Sequence, residues 1–63
     1  MTLSTRETDV LRAYADGQCI KTASRTVGIS ANTIKDRLRT ARLKLGARTT
    51  VQAVASAIRM GLL

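Results

Sequence analysis

Four glycines, Gly17, Gly28, Gly46 and Gly61, divide this chain into segments that are each about as long as one short helix. Glycine is the commonest residue just past a helix C-terminus, because it adopts left-handed backbone angles without strain. The apolar residues are nearly all Ala, Val, Leu and Ile, with one aromatic residue and no proline. The sequence therefore predicts an all-α fold of four small, closely packed helices, in one domain that spans residues 1–63.

The first two helices are predicted over residues 5–15 and 20–27. Ser4 and Glu7 have the spacing of a capping box, in which each residue binds a backbone N–H of the other. Apolar spacing predicts an inward stripe on the first helix made of Leu3, Val10, Leu11 and Tyr14. The same reasoning predicts an inward face on the second helix made of Ile20, Ala23, Ser24 and Val27.

A tight helix-turn-helix joint is predicted between the second helix and a third helix over residues 31–45. Gly28 supplies a left-handed turn, and Ser30 stands where the third helix needs an N-cap oxygen. One narrow face of the third helix is predicted to pack inward, and it consists of Ile34, Leu38, Ala41 and Leu45.

The charge of the chain indicates an anionic partner. Eleven Lys and Arg residues against four acidic ones give a net charge of +7 and a pI of about 11.3. Nucleic acid is favoured over a membrane surface, because no helix has Trp, Phe or Leu gathered beneath a Lys-rich face. No apolar stretch is long enough to span a membrane, we expect no signal peptide, and Cys19 is the single cysteine. We therefore expect a cytoplasmic protein in which Cys19 is a buried or half-buried structural thiol.

The outward surface of the third helix is predicted to be basic. On a helical wheel, Lys35, Arg39 and Arg42 cluster on one flank and Arg37 and Lys44 on the other. Between them lies a polar ridge that contains Asn32 and Asp36. A charged outer face is often only a solvated face. However, a merely solvated helix usually mixes Glu with Lys, so the single sign of charge favours binding.

A fourth helix is predicted over residues 50–60, with Thr49 and Gln52 as a second capping-box candidate. Its inner stripe is predicted to be Val51, Val54, Ala55 and Ile58. The opposite side carries the candidate interface with a second copy of the chain, which consists of Ala53, Ser56, Ala57 and Met60. An ordinary alanine-rich surface helix is the alternative.

The ordered set of these residues resembles the LuxR/GerE-type helix-turn-helix DNA-binding domain of bacterial or phage regulators. The resemblance covers residues 3–63 and rests on Leu3-Ser4-Thr5-Arg6-Glu7, Val10-Leu11, Gly17, Lys21, Gly28-Ile29-Ser30, Thr33-Ile34-Lys35, Leu38, Lys44-Leu45-Gly46 and Gln52-Ala53-Val54. It implies a third helix in the major groove of double-stranded DNA and a homodimer contact through the fourth. It implies base contacts by Lys35, Asp36 and Arg39. It implies backbone contacts by Lys21, Ser30, Asn32, Thr33, Arg37, Arg42 and Lys44.

The chain departs from the family pattern at three places. Ala23-Ser24 replaces a usual Ile-Ala, which makes the packing under the turn smaller and more polar. Cys19 stands where a Ser or Thr cap is usual, and Arg37 stands where a His is common. We expect a weaker start to the second helix and an additional phosphate-seeking charge on the third.

Other functions are also compatible with parts of the sequence. A sigma region-4-like promoter-binding module shares the helix-turn-helix pattern, although the fourth helix argues against it. A protein-interaction module would use the fourth helix to sequester a transcription factor or RNA polymerase. Met1 favours a free-standing regulator over an excised C-terminal domain. The chain has no histidine and one cysteine, and its four carboxylates have no plausible base partner, so we expect no enzymatic activity, metal or cofactor.

Overall fold

The computed structural model describes residues 3–63, and Met1 and Thr2 lie outside the described part. It contains four helices: α1 (Thr5–Ala15), α2 (Ile20–Val27), α3 (Ala31–Lys44) and α4 (Thr50–Arg59). Residues 3–63 form no strand, so the predicted all-α fold is confirmed. α3 and α4 each end one residue earlier than predicted, because Leu45 and Met60 serve as their C-caps.

The start of α1 is fixed by the predicted capping box. The Ser4 Oγ accepts from the Glu7 N–H at 3.1 Å, and the Glu7 Oε1 accepts from the Ser4 N–H at 2.7 Å. Val10 and Leu11 are fully buried, as predicted. Tyr14 was expected inside but is 38% exposed. Tyr14 lies in the last turn of α1, where its ring lines a groove beside α4 instead of the core.

The helix-turn-helix joint is closed by small and polar residues. Gly28 adopts φ +82°, and its N–H donates to the Ser24 carbonyl at 2.9 Å. The Ser24 hydroxyl in turn donates to the Ile29 carbonyl. Ser30 then caps α3, since its Oγ accepts from the Thr33 N–H at 3.1 Å. The polar Ser24 therefore stabilises the turn by binding the backbone on its far side.

The core lies where α1 packs against all three other helices. From α3 it receives Ile34, Leu38 and Ala41, which are at most 8% exposed. These three residues confirm the predicted inner face of α3, while Leu45 is half-buried at its end.

The predicted faces of α4 are reversed. Ala53 and Ala57 are 0% exposed, whereas Val51 is 68% and Ile58 is 56% exposed. α4 packs against α1 and α3, and the small alanine side chains permit that close approach. Val51 and Ile58 therefore point outward, whereas Val54 is half-buried against the core, as predicted. The sequence predicted that Ala53 and Ala57 meet a second copy of the chain. That prediction is wrong, because both side chains are buried in the core of the monomer.

Cys19 also differs from the prediction, because it is exposed. It is the N-cap of α2, at a corner of the fold, and its side chain makes no cap hydrogen bond. The Cys19 Sγ lies 3.3 Å from the Thr22 Oγ1, and this hydrogen bond lowers the pKa of the thiol below its ordinary value. The position at a helix corner, outside the packed faces, explains the exposure.

Candidate nucleic-acid interface

The face of α3 opposite its buried stripe carries the three predicted base-contacting residues. Lys35, Asp36 and Arg39 are all exposed. They lie within about one turn of one another, on the side of the helix away from Ile34 and Leu38. The single salt bridge among residues 3–63 does not involve them, and their charged groups make no hydrogen bond within that range. α3 therefore presents two cations and one carboxylate that are available to a ligand.

The N-terminus of α3 presents hydroxyl groups and backbone N–H groups. Ser30 and Asn32 are exposed, and Thr33 is half-buried. The Ser30 Oγ lies 2.8 Å from the Thr33 Oγ1, so the two hydroxyls already bind each other. Lys21 is exposed in the first turn of α2. A helix N-terminus attracts anions through its free N–H groups and its dipole, which suits a phosphate beside these residues.

The flanking cations of α3 are less free than the sequence suggested. Arg37 and Arg42 are both half-buried. The Arg42 Nη1 donates to the Ala47 carbonyl at 3.2 Å and so fixes the connection between α3 and α4. One guanidinium has five N–H donors, so Arg42 retains donors for a phosphate.

Lys44 makes the single salt bridge among the described residues. Its Nζ lies 2.8 Å from the Oε1 of Glu7, which is 2% exposed. Burial raises the pKa of Glu7, but hydrogen bonds from Lys44 and Ser4 lower it by more, so the net pKa is below 4.5. Glu7 therefore stays ionised at neutral pH and holds Lys44.

Sequence reasoning missed the role of Glu7 beyond its cap, and it also missed Arg48. Glu7 and Lys44 are 37 positions apart, and no local pattern joins them. Arg48 is exposed just before α4 and adds a cation to the α3–α4 connection. The excess of basic residues was the available signal for Arg48. The burial of Glu7 had no sequence signal, since a capping-box Glu is ordinarily solvated.

A separate apolar surface lies between α1 and α4, and we call it the α4 groove. Its volume is about 320 Å³. It is lined by Tyr14, Ala15, Val51, Val54, Ala55 and Ile58. Of the predicted dimer residues, Met60 is exposed and Ser56 is half-buried, whereas the two alanines are in the core. An exposed apolar surface on α4 does exist, but it consists of the residues that were predicted to face inward.

Residues 1–57 match the model of the GerE family, described as bacterial regulatory proteins of the luxR family. The chain is 46% identical over 61 residues to the HTH-type transcriptional activator RamA of Corynebacterium glutamicum. That alignment covers 97% of this chain and 22% of RamA, so the chain spans about a fifth of the length of this relative. None of the helices formed by residues 3–63 is long and apolar enough to cross a membrane.

Proposed function

Because this chain belongs to the luxR family of bacterial regulatory proteins, we propose that it binds double-stranded DNA sequence-specifically and regulates transcription. The observation that carries the proposal is the exposed face of α3, with Lys35, Asp36 and Arg39 free of protein partners. An α-helix fits the major groove, where each base pair presents a distinct pattern of donors and acceptors.

Each of the three side chains suits a particular base edge. Lys35 and Arg39 donate to the O6 and N7 of guanine, and the Arg fork does so in a bidentate manner. Asp36 accepts from the N4 of cytosine and repels a nearby phosphate or guanine acceptor. Two donors and one acceptor on one helix turn thus favour G·C pairs in a defined order.

Phosphate contacts would hold α3 in the groove. The residues that we assign to them are Lys21, Ser30, Asn32, Thr33, Arg37 and Arg42. Backbone contacts of this kind fix register and orientation but carry no sequence information. Each phosphate that is neutralised releases counterions and contributes about −0.9 to the slope of log affinity against log salt.

Selection from a random DNA pool, followed by fluorescence anisotropy on the selected duplex, tests the proposal. We expect a salt slope of about −4 to −5 for four to six contacts per subunit. Arg39→Ala should weaken the selected duplex by about 1–3 kcal/mol and relax the preference at particular base pairs.

Arg12→Ala is the matched control for charge. Arg12 is exposed on α1, in a groove that it shares with Asp9 and Asp16. Removing it changes the net charge by the same amount as Arg39→Ala but should leave the base preference intact. An absence of selected sequences, or equal effects of the two variants on every duplex, would contradict readout by α3.

The α4 groove supports a second, finer element of the proposal, which is a homodimer on DNA. Exposed Val51 and Ile58 give α4 an apolar surface that a second copy would cover around a two-fold axis. The two α3 helices would then enter successive major grooves, at half-sites about 10–10.5 base pairs apart. A surface of this size forms only a weak dimer in solution, so DNA would supply the remaining association energy.

Ile58→Glu tests the dimer, with Gln52→Glu as its control. Both variants add one negative charge to an exposed position of α4, but only Ile58 lines the groove. We expect Ile58→Glu to abolish cooperative binding to an inverted repeat but to keep binding to a single half-site. Gln52→Glu should keep both. If cooperativity survives, the groove has another use, and a protein-interaction role becomes the better account of it.

A further inference from the structure

The ion pair between Lys44 and Glu7 joins the last turn of α3 to the first turn of α1. The Lys44 Nζ and the Ser4 N–H both donate to the Glu7 Oε1, at 2.8 and 2.7 Å. Glu7 is almost completely buried, whereas 38% of the Lys44 side chain is exposed. One carboxylate oxygen thus connects the N-cap of α1 to the C-terminal end of the helix that we assign to DNA reading.

Lys44 cannot leave this carboxylate without cost. A buried carboxylate that loses its cation remains desolvated and unpaired, and breaking such a pair is strongly destabilising. A single exposed phosphate contact offers a screened interaction in return. The buried charge of Glu7 therefore retains the ammonium group of Lys44 when DNA is present.

The ion pair adds to two other contacts at the end of α3, which are the Arg42 hydrogen bond to the Ala47 carbonyl and the packing of Leu45 against the core. Ile34, Leu38 and Ala41 hold the first three turns in the core, but Leu43 is 59% exposed and Leu45 is only half-buried. α3 has 14 residues and is about 21 Å long. A tilt of about 5° would move one end relative to the other by about 2 Å. Hydrogen bonds to base edges tolerate only a few tenths of an ångström, so the tilt decides whether they form.

We propose that Lys44 is a positioning residue for α3, and not a phosphate contact as the sequence suggested. Its pair with Glu7 sets the tilt at which Lys35 and Arg39 meet the bases. This proposal rests on DNA reading by α3. It distinguishes Lys44 from the other cations of α3, because the charge of Lys44 is already neutralised inside the domain and releases no DNA counterion.

Three variants separate positioning from phosphate binding: Lys44→Met, Glu7→Gln and the double variant that combines them. Met and Gln approximate the shapes of the residues they replace but lack their charges. The double variant leaves no unpaired buried carboxylate, so it remains informative if Lys44→Met alone does not fold. Lys44→Arg keeps a cation in the pair and should restore most of the specificity.

The measurement is anisotropy on the selected duplex and on a scrambled duplex across a range of salt, with folding checked by circular dichroism. We expect the affinity ratio of the two duplexes to fall about tenfold in all three variants, as for a lost base contact. The salt slope on the scrambled duplex should stay within experimental error of the parent in Lys44→Met and in the double variant. A merely structural role would leave the ratio unchanged in every variant that folds.

Phosphate binding by Lys44 gives the opposite pattern. Lys44→Met would make the salt slope on both duplexes shallower by about 0.9, because one phosphate contact would be lost. That result overturns the proposal, as does an unchanged affinity ratio. A parent protein that binds both duplexes equally would instead refute sequence-specific reading by α3, and the positioning role would fall with it.

Discussion

Introducing Glu at two adjacent positions of α4 should destabilise the domain by very different amounts. Ala57 is 0% exposed and Ile58 is 56% exposed, although one peptide bond separates them. We consider Ala57→Glu and Ile58→Glu, which introduce the same side chain into the core and onto the surface. The comparison tests directly which face of α4 packs inward.

The expected magnitudes follow from burial and from the size of the domain. At about 0.05–0.15 kcal/mol per residue, 63 residues have a free energy of unfolding of about 3–9 kcal/mol. At position 57 a Glu side chain either buries an unpaired charge, which costs several kcal/mol, or overpacks the core as the neutral acid at a cost of about 1–3 kcal/mol. Ala57→Glu therefore removes most or all of the stability.

Ile58→Glu should cost much less. Ile58 lines the α4 groove and is 56% exposed, so its replacement loses a little under half of the burial of an Ile side chain, about 1 kcal/mol. A negative charge in the last turn of the helix adds about 0.3–1 kcal/mol. In a domain of this size, 1 kcal/mol lowers the melting temperature by about 4–8 °C.

Urea unfolding followed by far-ultraviolet circular dichroism measures both variants. We expect Ile58→Glu to unfold cooperatively at a lower midpoint with the parent's m-value, and Ala57→Glu to lack a native baseline. If Ala57→Glu were as stable as the parent and Ile58→Glu were unfolded, the packing of α4 described above would be wrong.

Three further predictions concern the helix ends. Gly28→Ala should lower the free energy of unfolding by about 1–2 kcal/mol in a urea titration, because φ at Gly28 is +82° and an added Cβ meets no other atom, so the cost is that of the backbone angle alone. Gly28→Asn should cost less, because Asn tolerates this angle better than Ala. Cys19→Ser should raise it by about 0.5–1 kcal/mol relative to Cys19→Ala, because α2 has no side-chain cap and a Ser hydroxyl supplies one. The stability that the Glu7 carboxylate contributes is present above pH 4.5 and is lost as the pH falls through its lowered pKa in the folded state. Between pH 6 and pH 3, the melting temperature should therefore fall more steeply in the parent than in Glu7→Gln.

Helix ends were the most predictable feature of this chain, because each is set by a few neighbouring residues. Each cap joins residues that are at most four positions apart, so the spacing in the sequence determines its geometry. This holds for Ser4 with Glu7, for Ser30 with Thr33 and for Gly28 with Ser24. Thr49 partly follows the same pattern. Its Oγ accepts from the Gln52 N–H, but the Gln52 side chain binds the Arg48 N–H and not that of Thr49.

The faces of α3 were predictable for a different reason. Large apolar residues and charged residues occupy opposite sides of α3, so one period of 3.6 residues separates core from surface. The exposure of Lys35, Asp36 and Arg39 follows from that separation, whereas their assignment to base contacts comes from the family resemblance. The partner of Lys44 could not be predicted from this pattern, because Lys44 binds the carboxylate of Glu7, which is 37 positions away in the sequence.

The same reasoning failed for α4 because apolar residues occupy both of its faces. When two faces are both apolar, hydrophobicity alone does not indicate which is buried, and preferring the larger side chains as core gives the wrong answer here. The distance between helix axes decides the matter: α4 lies against both α1 and α3, and alanine at positions 53 and 57 fits where valine or isoleucine would force the helices apart. Close approach through small residues leaves the larger ones outside, where they form the α4 groove with Tyr14 of α1. The tight packing of the monomer and its exposed apolar surface therefore have one cause. An exposed apolar surface on a small domain is typical of an interaction site, which is why we propose that a second copy binds there.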